Sequence, residues 1–265
     1  MSHPVVLIHG MWCTGANWDR VRSLMEPRGY DCFAPSLPAH DPTPDQPIDV
    51  ARLSLRDYLA ELEHQVAERR YDRPPILIGH SMGGLLAQQL ACRVQPLALV
   101  LLTPAPAWGI GALRWANLLA FAPWMFGGAF WRNSHKPSFP NAVRSAFNGV
   151  PQNRHRHLYE ALVHESGRAA YEIGMWWFDW SRASAVDVSR IRCPVYVVSC
   201  GEDRLTPAPV VRKLAARYPG VTQRYYPSRG HWVIDDEDTE EMVHAICGWL
   251  RPMEQRYERT RAHAA

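Results

Sequence analysis

Pro74-Pro75-Ile76-Leu77-Ile78-Gly79-His80-Ser81-Met82-Gly83-Gly84 is the stretch whose reading decides the fold. Ile76 to Ile78 is a short apolar run of the kind that forms a buried strand. It meets a Gly-x-Ser-x-Gly step and passes directly into a helical pattern from Leu85 to Val94. A serine at such a strand-to-helix turn is held in a strained backbone conformation with its hydroxyl clear of both elements. Gly79 and Gly83 are expected because a side chain there would collide across the turn, and Gly84 lets the helix lie close on the sheet. The helix starts just after Ser81, so its free N–H groups and positive dipole end face any anion that forms there.

Strands and helices alternate on both sides of this turn. Val5 to Ile8 reads as a buried strand, Asn17 to Met25 as a helix, and Asp31 to Ser36 as a second strand. A long helix is expected from about Ser54 to Arg69, with Ser54 and Asp57 spaced as a capping box and Leu55, Leu59, Leu62 and Val66 as its buried stripe. Leu97 to Leu102, Pro194 to Ser199 and Gln223 to Tyr226 read as further strands. Pro207 to Arg217 and Asp235 to Leu250 read as helices. This order implies an α/β fold: a mostly parallel sheet of about six strands with helices on both faces. The alternation stops between Ala105 and Asp187. That stretch holds Trp108, Trp115, Trp124, Trp131, Trp176, Trp177 and Trp180 and is broken by prolines, so it reads as a helical insertion. The expected organisation is a core domain of residues 1–104 and 188–252, a helical cap or lid of 105–187, and a polar, frayed C-terminal tail of 253–265.

Composition narrows the class. The chain has 265 residues, 47% hydrophobic and 21% charged, with a net charge of +3. Its lysines and arginines are scattered, which argues against a nucleic-acid partner. Leu118 to Trp131 is the most apolar stretch, but it is too short and too broken to span a bilayer. Cap self-packing is the favoured reading of it. The sharper reading is a lid that covers an acyl cleft or touches a lipid surface transiently. The six cysteines lie far apart, and no metal-ligand spacing or phosphate loop is visible. Reduced cysteines and a strand already under way at Val5 are the pattern expected of a cytoplasmic protein with no signal peptide.

A serine hydroxyl is a weak nucleophile near neutral pH. It needs a base within hydrogen-bond reach, and the base needs an orienting acid. Asp203 follows the strand Val195 to Cys200 and opens Asp-x-x-Thr-Pro, which would fix its loop; Glu202 is the rival. His231 follows the strand ending at Tyr226. The later histidines, His244 and His263, fall in a helix and in the tail. An oxyanion would need two N–H donors aimed at one point, and Met82 and Met11 are the candidates. Trp12, Trp108, Trp124, Trp177 and Trp232 are the expected substrate-pocket residues. Arg154 to His157 reads as a solvated helix face rather than an anion site.

His9-Gly10-Met11-Trp12, Gly79-His80-Ser81-Met82-Gly83-Gly84, Gly201-Glu202-Asp203-x-x-Thr-Pro207 and Gly230-His231-Trp232 together resemble the α/β-hydrolase superfamily, above all its capped esterase, lipase and carbon–carbon-bond hydrolase members. The resemblance spans nearly all of the chain outside the insertion, which corresponds to the cap. It implies a catalytic triad of Ser81, His231 and Asp203, an acyl-enzyme, and no cofactor or metal. The expected activity is cleavage of an ester in a small apolar molecule. A thioester, lactone or carbon–carbon bond is the alternative on the same triad. Cofactor-free oxygenase or perhydrolase chemistry and a non-catalytic ligand receptor are the rivals. Two departures stand out. The first strand matches the family's third, so the antiparallel entry strands are expected to be missing. Ser36-Leu37-Pro38-Ala39-His40-Asp41 replaces a frequent glycine-rich loop, and no catalytic role is expected of His40.

Overall fold

The apolar runs pair in register to form the sheet. The computed structural model describes residues 3–111 and 129–264. Its strands and helices follow in the order β1 (His3–Ile8), α1 (Asp19–Met25), β2 (Tyr30–Phe33), α2 (Gln46–Asp49), α3 (Leu55–Glu68), β3 (Ile76–His80), α4 (Met82–Val94) and β4 (Ala98–Leu102). The insertion contributes β5 (Ser134–His135), α5 (Phe139–Ser145), α6 (Gln152–Glu160), β6 (Glu165–Ser166) and α7 (Gly167–Gly174). The chain then returns as β7 (Val195–Cys200), α8 (Ala208–Ala215), β8 (Thr222–Tyr226) and α9 (Thr239–Ala264).

Among the described residues the main sheet has six strands in the order β2-β1-β3-β4-β7-β8, all parallel. Successive side chains of a strand point to opposite faces, and both faces are buried here. Val5, Leu7, Ile76, Ile78 and Val100 pack on one side with Trp18 of the turn before α1 and with Ile246 and Leu250 of α9. Val6, Ile8, Leu77, Leu99 and Val197 pack on the other with α3, α4 and α8 through Leu59, Leu62, Leu86, Leu90, Val211 and Leu214. Each fully buried aliphatic side chain contributes about 1.5–3 kcal/mol relative to exposure. The strand order reverses between β1 and β3, and ligands of open parallel sheets bind at the carboxyl ends of the strands beside such a reversal. The loop after β1 and the turn after β3 flank that crevice.

The capping box is present as expected: Ser54 Oγ accepts from the Arg56 and Asp57 N–H groups, and Asp57 accepts from Ser54 N. Three features differ from the sequence reading, the first being that the insertion, expected to be helical, also carries the two-stranded antiparallel β5–β6 ribbon. β2 ends at Phe33 rather than Ser36, because the chain leaves the ladder at Ala34 and Pro35 to lie against Gly15; a Cβ on that glycine would sit 2.2 Å from the Ala34 carbonyl oxygen. Residues 253–264 are helical, where a frayed tail was expected. There Glu258 accepts from the buried Arg73 guanidinium at 2.6 Å, and the Tyr257 ring stands edge-on to His3. An ion pair with one buried partner resists fraying far better than an exposed one.

Candidate active site

Ser81 occupies the turn between β3 and α4 with φ 54° and ψ −120°. A non-glycine residue in that region is strained, and the surroundings must over-determine it. They do so through four backbone hydrogen bonds: Ser81 N to Leu102 O at 3.0 Å, Ala105 N to Ser81 O at 2.8 Å, Gly84 N to Ser81 O at 2.9 Å and Leu85 N to Ser81 O at 3.3 Å. The glycines allow the fit. A Cβ on Gly79 would meet the Gly83 carbonyl oxygen at 2.2 Å. A Cβ on Gly83 would meet the Ile8 carbonyl oxygen at 2.0 Å, so the pressure on Gly83 comes from β1 rather than from within the turn. The Ser81 side chain is part-exposed, and its Oγ has no hydrogen-bond partner among the described residues.

Asp203 and His231, 28 positions apart, are joined: His231 Nδ1 lies 2.9 Å from Asp203 Oδ2. Both residues are buried. Asp203 Oδ1 accepts from the N–H groups of Leu205 and Thr206, each at 2.8 Å, and Thr206 Oγ1 lies 2.8 Å from Oδ2. Four hydrogen-bond contacts on one carboxylate fix its orientation. Glu202, the rival acid, is exposed and does not approach the imidazole. The His231 loop is tied to the serine turn through the residue preceding the serine. His80 Nε2 donates to the His231 carbonyl at 3.0 Å, Thr103 Oγ1 donates to the same oxygen at 3.3 Å, and the His80 and His231 ring centroids are 4.9 Å apart. Sequence reasoning did not single out His80 or Thr103 as supports, since a buried polar contact leaves no periodic trace.

Across the crevice, Gly10 abuts the turn: a Cβ there would lie 3.0 Å from Ser81 Cβ. The N–H groups of Met11 and Met82 donate to no acceptor among the described residues. Burial holds the imidazoles of His9 and His80 down at about 3, with neighbouring charge a lesser cause, so both are neutral. His9 Nε2 accepts from Leu37 N at 2.9 Å and its Nδ1 faces the Gly10 carbonyl at 2.9 Å, which fixes the tautomer and the loop after β1.

The expected pocket tryptophans are spread over the site and the insertion. Trp12 is buried in the loop after β1, with φ 65°. Trp232 is buried edge-on against Phe147 at 5.0 Å and His80 at 6.1 Å. Trp108 stacks edge-on with Trp176 at 5.2 Å under the Arg182 guanidinium. Trp177 is 40% exposed, beside Phe178 and the almost fully exposed Trp180. Trp124, and most of the apolar stretch from Leu118 to Trp131, lie outside the described residues. Arg154 to His157 is less free than a solvated face: Arg154 pairs with Asp235 at 2.6 Å and His155 Nε2 donates to Val150 O at 2.7 Å. His40 is buried, 3.2 Å from Glu165 Oε2 of the insertion. Among the described residues no cluster of three or more His, Cys, Asp or Glu is arranged to hold a metal, and no helix is long and apolar enough to cross a membrane.

A doubly covered parallel sheet, a strained serine at the strand-to-helix turn, a buried Asp–His pair and two free N–H groups at the switch point agree with the family match, which covers residues 5–245. The chain belongs to the alpha/beta hydrolase family. A pyrethroid hydrolase of Sphingobium wenxiniae is 36% identical over 92 residues, which are 33% of this chain and 30% of that protein's length. A methylesterase from Arabidopsis shares the fold at a TM-score of 0.69 and 12% identity, over 94% of this chain and 99% of that one. A monoacylglycerol lipase from Paleococcus ferrophilus does so at 0.69 and 23%, over 94% of each chain.

Proposed function

We propose that the protein is a serine hydrolase that cleaves a carboxylic ester of a small apolar molecule through an acyl-enzyme on Ser81. The 2.9 Å contact between His231 Nδ1 and Asp203 Oδ2 carries the reading. With Nδ1–H committed to the carboxylate, Nε2 presents its lone pair and can take a proton. Ser81 Oγ attacks the acyl carbon while His231 removes its proton, and Asp203 stabilises the imidazolium. The oxyanion accepts hydrogen bonds from Met11 and Met82 N–H, neither of which donates to an acceptor among the described residues. His231 passes the proton to the leaving alcohol, then activates water to free the acid. The hydrogen bond between Ser81 and His231 forms on substrate binding, as such contacts often tighten only in the Michaelis complex.

An ester is favoured over the thioester, lactone and carbon–carbon alternatives because the similar proteins named above include an esterase and a lipase. The apolar character of the substrate rests on Trp12 and Trp232, which directly follow Met11 and His231, and on the tryptophan-rich insertion of residues 105–187 proposed as the cap. The six cysteines are all free, which suits a reducing, cytoplasmic setting.

The test is labelling by a fluorophosphonate probe beside p-nitrophenyl ester turnover. Wild type should show both, and Ser81→Ala should lose labelling and drop kcat by on the order of 10⁴ or more. Near-normal turnover by Ser81→Ala would point to oxygenase chemistry. Folded wild-type protein with neither signal would be a receptor.

A further inference from the structure

Trp12 holds an expensive conformation. A bulky aromatic residue at φ 65° is a genuine outlier, and such strain persists only where the surroundings impose it. Among the described residues two hydrogen bonds hold it there, and both come from the insertion. Val163 N donates to the Trp12 carbonyl at 2.8 Å, and the Trp12 indole Nε1 donates to the His135 carbonyl at 3.0 Å. His135 belongs to the two-stranded ribbon of β5 and β6, in which it pairs with Glu165; Val163 lies two residues before Glu165. The ribbon therefore grips the residue directly after Met11, whose N–H is one of the two proposed oxyanion donors.

The ribbon is itself riveted to the main domain by Glu165, which is 1% exposed. Its Oε1 accepts from Tyr58 OH of α3 at 2.6 Å and from Ser166 N at 2.7 Å, and its Oε2 lies 3.2 Å from His40 Nε2. Beside it, Ser166 Oγ donates to Leu53 O at 2.6 Å, and Gln46 both donates to His164 O at 2.9 Å and accepts from His164 N at 3.1 Å. A carboxylate that bridges a tyrosine and a histidine from two separate segments of the core fixes the ribbon against that core. Backbone donors are worth most when they need no reorganisation as charge develops.

We propose that Glu165 is a positioning residue for the oxyanion hole: through the ribbon's hold on Trp12 it keeps the Met11 N–H aimed at the reacting oxygen. The insertion thus completes the catalytic apparatus as well as covering the substrate. This rests on the reading of Ser81 as the acylated nucleophile. Outright loss of one oxyanion donor costs on the order of 10²–10³ in rate. A displaced donor should cost less.

The experiment measures kcat per fluorophosphonate-titrated site, KM, and affinity for an aryl trifluoromethyl ketone, which adds Ser81 Oγ at its carbonyl and leaves an oxyanion in the hole. Glu165→Ala should lower kcat per site by about 10- to 100-fold, weaken the ketone by a similar factor and leave KM within about twofold. Glu165→Gln, which keeps acceptors for Tyr58 and Ser166, should recover most of the loss. Trp12→Phe keeps the bulk but removes the indole hydrogen bond, and should lower kcat and ketone affinity together several-fold; it decides the matter if Glu165→Ala does not fold. A lower melting temperature with unchanged kcat per site and ketone affinity would overturn the proposal and leave Glu165 as a structural pin. Wild type that is neither labelled nor inhibited would instead remove the Ser81 reading on which it stands.

Discussion

Ser81 and its glycine neighbours have no slack. The atoms a Gly83 methyl would strike are backbone atoms at the end of β1 and just past it, 2.0 Å away at Ile8 O and 2.4 Å away at His9 O, so no side chain can rotate away. Gly83→Ala should destabilise the fold by about 3 kcal/mol or more, read as a fall in the urea midpoint. Gly29 is the contrast. It sits at φ 91° with nothing within 4 Å, so Gly29→Ala should cost only about 1 kcal/mol of backbone strain. Equal losses for the two variants would sink the steric argument. At Asp203 the issue is chemistry: Asp203→Asn keeps the size but can present its NH₂ to His231, favouring the wrong tautomer. A kcat drop of about 10⁴ is expected, and a drop below tenfold would show that the pair does not orient the base.

At the level of elements, the start of α3 shows how the insertion and the core are fastened. Ser54 and Asp57 cap the helix locally, while Leu55 N donates at 2.9 Å to Glu172 Oε2 of α7, a carboxylate from 117 positions away. Glu172 is buried, and burial raises its carboxyl above the usual range although Leu55 N–H and Arg168 oppose this. Ser54→Ala should cost about 1 kcal/mol. Glu172→Ala strands a buried N–H and should cost about 1–3 kcal/mol. Thermal unfolding compared across both variants checks this; a Glu172→Ala variant as stable as wild type would mean that the insertion is not latched here.

For the whole molecule, the buried imidazoles set the response to acid. His9 and His80 stay neutral in the fold down to about 3, chiefly because burial penalises their charged forms. Unfolded, each takes up a proton below about 6.5. Between these values the unfolded chain binds more protons, so stability falls as pH falls, by about 1.4 kcal/mol per pH unit for each histidine. His40 acts in the opposite sense. Burial lowers it, yet the Glu165 carboxylate and hydrogen bonds outweigh burial and leave it raised. Its contribution is complete below about 6.5 and fades as pH rises through its folded value. Urea unfolding between pH 7 and 5 should therefore steepen toward acid, and His80→Gln, which keeps a donor for the His231 carbonyl, should remove about one proton from that slope. An unchanged slope in His80→Gln would refute the assignment.

What the sequence determined by itself was local. Apolar runs of strand length, helical stripes, the capping box at Ser54 and the glycine-serine turn are each written within a dozen residues, and a parallel sheet follows from their alternation. The crevice residues Ser81, Asp203 and His231 could be picked out because each sits just past a strand end, and every parallel strand ends on the same side. Tertiary structure alone decided the rest. Nothing near His40 or Tyr58 announces a carboxylate more than a hundred positions later, Thr103 reads as an ordinary loop residue, and the last helix continues past Leu250 because Glu258 meets a buried arginine from another loop. Buried polar contacts carry no period, and their worth depends on which groups the folded chain brings within about 3 Å.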